Sequence, residues 1–390
     1  MNEIFRKLVR LQKLAFIAGT LFLAFTTIGI FTDAHAVAVS YLFSYVFWML
    51  LALGCLLATM LHCLAGGDWG VVTRRIFEAG SMTFPVLALL FIPIGFGLHE
   101  LYSWANPGMV AADPVLKQKA LYDNPPAFLL RTIIFFVITI GMTLRLRRWS
   151  VLQDLNSTTE PTIKMRTLSG PGIVIIPFAA TFILIDWVMS IEGDWFSTIF
   201  PLILIAGGFL AALAFVVTTL VWLQRHPPFE NVIMVKHFHD LGNLLLAFVM
   251  FWTYIAFSQW LITYSGNQPH EIAWYLSRTT GGWKWLILLV VIFYFFVPFF
   301  VLLSRSAKQS GRVLKRVAVL ILIMNVLAMF WTIMPTFYPA GLRIHWTDLT
   351  AWLGIGGIWA GIFCLNLRRH PLLIHQFPQP SAIEPVPVEK

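Results

Sequence analysis

The chain has 390 residues, 58% hydrophobic and only 12% charged, with a mean hydropathy of +0.79. A soluble domain carries about twice that charged fraction, and no stretch is long or polar enough to form one separately. The net charge is +9, and its distribution decides whether it marks nucleic-acid binding.

Apolar runs of the length needed to cross a bilayer recur along the chain. They predict an all-α, polytopic membrane protein with ten spans, at 14–32, 37–62, 79–99, 127–144, 172–190, 198–223, 240–264, 284–304, 313–334 and 346–366. Helices are expected because backbone polar groups in hydrocarbon must be satisfied internally. The start imitates a secretory signal: a basic Met1–Lys13, an apolar Leu14–Phe31, then Ala34-His35-Ala36. The apolar run exceeds the roughly 7–15 residues of a signal core, so it reads as the first span.

Of the 27 Lys and Arg, 21 fall on one set of connecting segments and 6 on the other. The positive-inside rule therefore predicts that both termini are cytoplasmic. The basic charge is accounted for by topology, and nucleic acid is excluded as its cause.

Two connecting segments on the outer side are long and aromatic, 101–126 and 265–282. They read equally as partner-holding loops and as simple connectors. Spans 3–5 and 7–9 follow a similar plan, with Asp186-Trp187-Val188-Met189 in span 5 and Phe330-Trp331-Thr332-Ile333-Met334 in span 9. A four-helix period implies parallel repeats about an axis along the membrane normal. The expected organisation is a tail and first helix (1–36), two four-helix bundles (37–195 and 196–335), a last helix (336–370) and a tail (371–390) with five prolines. The tail's composition predicts a disordered end.

Asp186 stands inside "ILIDWVMSIEGDWFSTIF" (183–200), a run otherwise suited to a buried helix. A carboxylate at a helix centre costs about 2.5–3.5 kcal/mol to insert, so it should face a cavity or a partner. Counted from Pro171, it lies about 22 Å along the helix at 1.5 Å per residue, in the outer third. There it could reach interfacial water, cap a neighbouring helix, or act with other groups at its level. His99 and Glu100 close span 3 on that side, Arg131 opens span 4, and Tyr41 and Tyr45 lie near the outer end of span 2.

The second half is poorer in charge. Tyr254, Ser258 and Gln259 occupy the outer half of span 7, and Asn325 the middle of span 9. These read first as interhelical hydrogen bonds. At the opposite end of span 7, "KHFHDLG" places Lys236, His237, His239 and Asp240. It reads as a helix start capped by Asp240 or as a proton entrance.

Three scattered cysteines and no CxxC or CxxCH argue against a metal or covalent cofactor on this chain. None of the ten histidines forms a transmembrane axial pair for b-type haem. A site with His, Asp and Tyr near one membrane surface, without metal, suits a quinone. Oxidising a quinol releases two protons that a carboxylate or histidine beside outer water can carry away. The electrons must then leave to a redox centre on another polypeptide.

Three blocks carry a family resemblance: "GLHELYSWANPGMVAADPVLKQKALYDNPPAFLLRT" (97–132), "DWVMSIEGDWFSTIF" (186–200) and "HDLGNLLLAFVMFWTYIAFSQWLITYSGNQPHEIAWYL" (239–276). Together they resemble the second quinone-binding subunit of quinol:cytochrome c oxidoreductase, the NrfD-like membrane subunit of bacterial alternative complex III. The resemblance spans nearly the whole chain. It implies ten helices in two four-helix bundles of the NrfD/polysulfide-reductase type, in the bacterial inner membrane. It also implies a paralogous NrfD-like subunit, an iron–sulfur/molybdopterin-like subunit, and multihaem and monohaem cytochrome c subunits as partners, besides lipid. Electrons would pass from quinol to cytochrome c or an oxidase, with proton translocation proposed.

In the paralogue a His and an Asp at the outer side of the first bundle hold the quinol. His99 and Asp186 are the positions here suited to those parts, with Arg131, Glu100 and Tyr45 beside them. His239, Asp240, Tyr254, Ser258 and Gln259 are the proton-path candidates. Asn243 stands where the family commonly has a lysine after HDLG, which weakens a charge-based entrance there. Two other readings stay open: a structural anchor whose paralogue does the chemistry, and a secondary transporter.

Overall fold

The computed structural model describes residues 2–155, 158–226 and 229–372. The described residues are helical, with no strand among them. Ten helices are long and apolar enough to cross a membrane: Glu3–Gly29, Ala34–Ala65, Asp68–Phe96, Pro125–Leu155, Glu160–Ile191, Phe200–Leu223, Val235–Gly266, Trp283–Leu303, Gly311–Phe337 and Trp346–Arg368, here spans 1 to 10. All ten expected spans are present. Most of the Pro-rich tail, 373–390, lies outside the described residues.

Spans 2 and 6 form the centre. In each, 83% of the most apolar window is buried, against 11% in span 1 and 17% in span 7. Their hydrophobicity runs all round, as suits helices enclosed by protein. Span 2 packs on spans 3, 5, 6 and 10; span 6 packs on spans 2, 7 and 9; span 1 lies along span 10.

Without a water-driven force between helices, close association needs small residues at crossings. Spans 2 and 6 cross at Gly54 and Gly208. A Cβ on Gly208 would lie 2.7 Å from the Leu50 carbonyl oxygen, and one on Gly54 would lie 2.4 Å from the Gly208 carbonyl oxygen. Backbone cannot yield as a flexible side chain can. Gly208→Val should therefore lower the thermal unfolding midpoint in detergent markedly, since overpacking costs about 1–3 kcal/mol or more. Gly170→Ala, whose methyl would meet nothing within 4 Å, is the control and should leave it unchanged.

Span 3 is broken into Asp68–Ser81, Phe84–Leu90 and Ile92–Phe96, with Pro85 and Pro93 near the starts of the second and third pieces. Proline removes a donor and displaces the preceding turn. At the second break Ile94 N–H turns to the Phe91 carbonyl, and the Leu90 carbonyl accepts from the Tyr41 hydroxyl at 2.8 Å. The Tyr45 hydroxyl donates to the Leu87 carbonyl at 2.9 Å. At the first break Asn366 Nδ2 donates to the Met82 carbonyl at 3.4 Å. Thus neighbouring helices supply what the broken backbone lacks. Span 8 contains a π-helical stretch, Val291–Phe296, just before Pro298.

The loop after span 3 is a folded cap. It contains the short helices Leu98–Leu101, Pro107–Ala112 and Pro114–Lys119. The Tyr102 hydroxyl donates to the Trp187 carbonyl at 2.9 Å, and Trp104 Nε1 donates to Ser190 Oγ at 3.0 Å. Lys119 Nζ donates to the Gly193 carbonyl. These bonds fasten the cap over the end of span 5.

Candidate functional site

Asp186 sits one residue before the end of the helix Glu160–Trp187, under that cap. Its side chain is 0% exposed, and Oδ2 accepts from Arg131 Nε at 2.6 Å. Arg131 Nη2 donates to the Tyr122 carbonyl at 3.0 Å, and the guanidinium lies 3.9 Å over the Tyr122 ring. Span 4 thus supplies the cation, span 5 the anion and the cap an aromatic face. A buried carboxylate of this kind needs such a partner.

Tyr122 closes the other side of the site. Its buried hydroxyl lies against the Asp186 carboxylate as a hydrogen-bond donor, and neither that hydroxyl nor Asp186 Oδ1 has another partner among the described residues. Burial and the neighbouring Asp186 carboxylate push the Tyr122 phenol above its ordinary pKa, so it stays protonated. The result is an enclosed carboxylate held between a guanidinium and a phenol.

Trp187 carries this site to the membrane. Its Nε1 donates to Thr132 Oγ1 at 3.2 Å, and its ring stacks on Phe91 at 4.8 Å. Thr132 and Phe91 line a groove of about 670 Å³ between spans 3 and 4. Phe96, Leu129, Phe136 and Ile140 complete its mostly apolar wall. Several lining residues, Ile92, Phe96, Ile133 and Val137 among them, are exposed on the outside of the molecule. The groove is therefore open towards lipid.

Of the residues expected here, Asp186 and Arg131 are brought together. Tyr45 is close, packing edge-on to Trp187 at 5.5 Å, but its hydroxyl is committed to bracing span 3. His99 and Glu100 are exposed. Glu100 lies near His35, which donates through Nδ1 to the Glu100 carbonyl at 3.0 Å. No hydrogen bond or ion pair among the described residues joins the His99 or Glu100 side chain to Asp186. Their place on the helix explains this: the short turn Leu98–Leu101 buries Leu98 and Leu101 and turns the polar pair out.

The five proton-path candidates do not form one chain of hydrogen bonds among the described residues. His239 Nδ1 accepts from Asn243 Nδ2 at 3.4 Å and lies 3.9 Å from Asp240 Oδ1. Tyr254 is 68% exposed on the outer face of its helix. Gln259 Oε1 accepts from Ser197 Oγ at 3.0 Å, and Gln259 Nε2 reaches Thr263 Oγ1 at 3.4 Å. Ser258 is half-buried beside it.

Two ionic clusters escaped sequence reasoning. In the second half, Arg278 is buried over the Trp274 ring at 3.8 Å and pairs with Glu192 Oε1 at 2.7 Å. The Thr336 hydroxyl donates to the same oxygen at 2.6 Å. Burial lowers the Arg278 pKa to about 10, with Glu192 opposing the shift, so the guanidinium keeps its charge near neutrality.

The other cluster lies at the opposite, basic end of spans 3, 4 and 10. Glu78 accepts from Arg74 Nε at 2.8 Å, Arg75 Nη1 at 2.8 Å and Arg147 Nη1 at 2.6 Å. Arg75 also pairs with Asp154. Hydropathy reads these arginines as topology signals and passes over Glu78. A charge sum of the segment, or the i, i+3 and i+4 spacing of Arg74, Arg75 and Glu78, would have drawn attention to it.

The chain matches no known family model and no characterised protein.

Proposed function

We propose that the chain is a membrane subunit of a quinol-oxidising electron-transfer complex of the alternative complex III type. In this reading it lies in a bacterial cytoplasmic membrane with both termini cytoplasmic. Spans 2–5 and 6–9 act as two four-helix bundles, and spans 1 and 10 flank them. The groove between spans 3 and 4 takes an isoprenoid tail. The quinol headgroup lies at the Thr132 end of the groove, next to Trp187, with Asp186 enclosed behind it between Arg131 and Tyr122. As the quinol is oxidised, Asp186 receives one of its two protons, the other leaves to water at the outer surface, and the two electrons pass to redox centres on partner subunits.

The observation that carries this reading is an enclosed Asp186–Arg131 pair linked, through Trp187 and its bond to Thr132, to a lipid-open apolar groove that Thr132 lines. Its test is Asp186→Asn in the intact complex. Quinol oxidation should fall about 100-fold, in the range general acid–base groups contribute, with the bound haem content unchanged. Wild-type turnover would remove Asp186 from the chemistry.

A structural-anchor reading has its own support. His99 faces away from Asp186, and Tyr45 is used to brace a broken helix. Under it, substitutions at Asp186 change assembly of the complex and leave turnover per assembled complex intact.

A further inference from the structure

A second concave site lies at the basic end of spans 4 and 5, far from Asp186. It is a pocket of about 330 Å³ lined by Arg148, Trp149, Leu152, Glu160, Pro161 and Lys164. Arg131 and Arg148 are 17 residues apart on one helix, about 26 Å at 1.5 Å per residue. That is close to the hydrocarbon thickness of about 30 Å. With Arg131 near one surface, Arg148 stands at the headgroup level of the other.

The two adjacent arginines of span 4 face opposite ways. Arg147 turns inward to Glu78, while Arg148 is exposed and makes no ion pair among the described residues. Arg145, one turn earlier on the same side, is exposed as well. Lys164 pairs with Glu160 at 2.5 Å, which cancels the pocket's single carboxylate and leaves Arg148 uncompensated. Trp149 is half-buried in the wall, and tryptophan favours the interfacial region.

Towards the membrane centre the same face of span 4 is apolar and smooth. Leu144 is 47% exposed, and a side chain on Gly141 would meet nothing within 4 Å. A ligand held here would have its charge at Arg148 and its hydrocarbon along Leu144 and Gly141.

We infer that this pocket binds the phosphate of an anionic phospholipid from the leaflet on the basic side. A guanidinium grips phosphate oxygens bidentately, and basic pockets between helices on this side suit such headgroups. The lysine neutralises Glu160, so that no free carboxylate repels the phosphate, the tryptophan packs against the glycerol region, and the helix face receives an acyl chain. The headgroup site does not rest on the quinol reading, although Gly141 also lines the groove between spans 3 and 4.

The test uses the full chain in neutral detergent, titrated with dioleoyl phosphatidylglycerol or dioleoyl phosphatidylcholine and read by native mass spectrometry. Wild type should retain phosphatidylglycerol at least 10-fold better than phosphatidylcholine. Arg148→Gln with Lys164→Gln should abolish that preference. Arg148→Lys should keep part of it, because charge remains while the bidentate fork is lost. Arg312→Gln, at a basic position elsewhere, should keep all of it. Thermal midpoints in lipid-free detergent establish that each variant is folded. Equal retention of both lipids by wild type, an undiminished preference in the double variant, or displacement of the lipid by millimolar inorganic phosphate would each overturn the assignment.

Discussion

Replacing Glu78 with alanine should remove most of the folded chain from the membrane. Three guanidiniums converge on this carboxylate, at 2.8, 2.8 and 2.6 Å, and all four side chains are nearly sealed from the exterior. The Ser150 hydroxyl donates to it too. Arg147 ties the cluster to span 10 through the Asn366 carbonyl at 3.3 Å. Loss of the anion leaves three buried cations facing one another, with only Asp154 to offset them. Removing one partner of a buried ion pair costs about 3–5 kcal/mol, a large share of the stability of any domain. Glu78→Gln keeps the acceptor oxygen and should be the milder of the two. The measurement is the yield of monodisperse protein and its thermal midpoint in detergent. A Glu78→Ala protein as stable as wild type would mean that the cluster does not hold spans 3, 4 and 10 together.

This cluster also shows where sequence reasoning runs out. Apolar windows identify all ten spans, since crossing a bilayer demands length and hydrophobicity that local sequence displays directly. The same windows place the start of span 3 near residue 79, whereas the helix begins at Asp68. The missing turns hold Arg74, Arg75 and Glu78, which are polar by composition and buried by pairing. Span 1 likewise starts at Glu3, because its basic turns continue the helix past the apolar segment.

Pairing across helices is a tertiary property, so composition cannot assign it. Asp186 and Arg131 are 55 positions apart in the chain and meet at 2.6 Å. Their shared depth was legible from topology, and their contact was not. Tyr45 was legible as an outer-side tyrosine, yet its bond to the Leu87 carbonyl depends on how Pro85 and Pro93 break span 3. His99 was placed at the right end of span 3, but its outward direction is set by the short turn Leu98–Leu101.

The two halves of the chain solve one problem similarly. Arg131 lies over Tyr122 and pairs with Asp186, while Arg278 lies over Trp274 and pairs with Glu192. In each, an arginine near the opposite side from the basic cluster stacks on an aromatic ring and binds an acid near the end of span 5. The difference lies in the surroundings. Glu192 accepts from both Arg278 and Thr336, whereas Asp186 accepts from Arg131 and lies against the Tyr122 hydroxyl. The first pair is linked, through Trp187 and its bond to Thr132, to the apolar groove between spans 3 and 4.

Arg131→Met should destabilise the protein by about 3–5 kcal/mol, as expected when a buried carboxylate loses its cation. The Asp186 side chain is fully enclosed, and Tyr122 alone cannot compensate a full charge. Adding Asp186→Leu should recover most of that loss, because replacing both partners of a buried pair by apolar groups is often close to neutral. The double variant separates two roles that either single substitution confounds. If the pair serves only to hold spans 4 and 5 under the cap, the double variant assembles and oxidises quinol at the wild-type rate. If Asp186 receives the quinol proton, it assembles equally well and turns over about 100-fold more slowly, the contribution of a general base. Thermal midpoints give the coupling free energy, and turnover per assembled complex gives the chemical role. A stable, fully active double variant would reduce the groove and the enclosed carboxylate beside it to architecture.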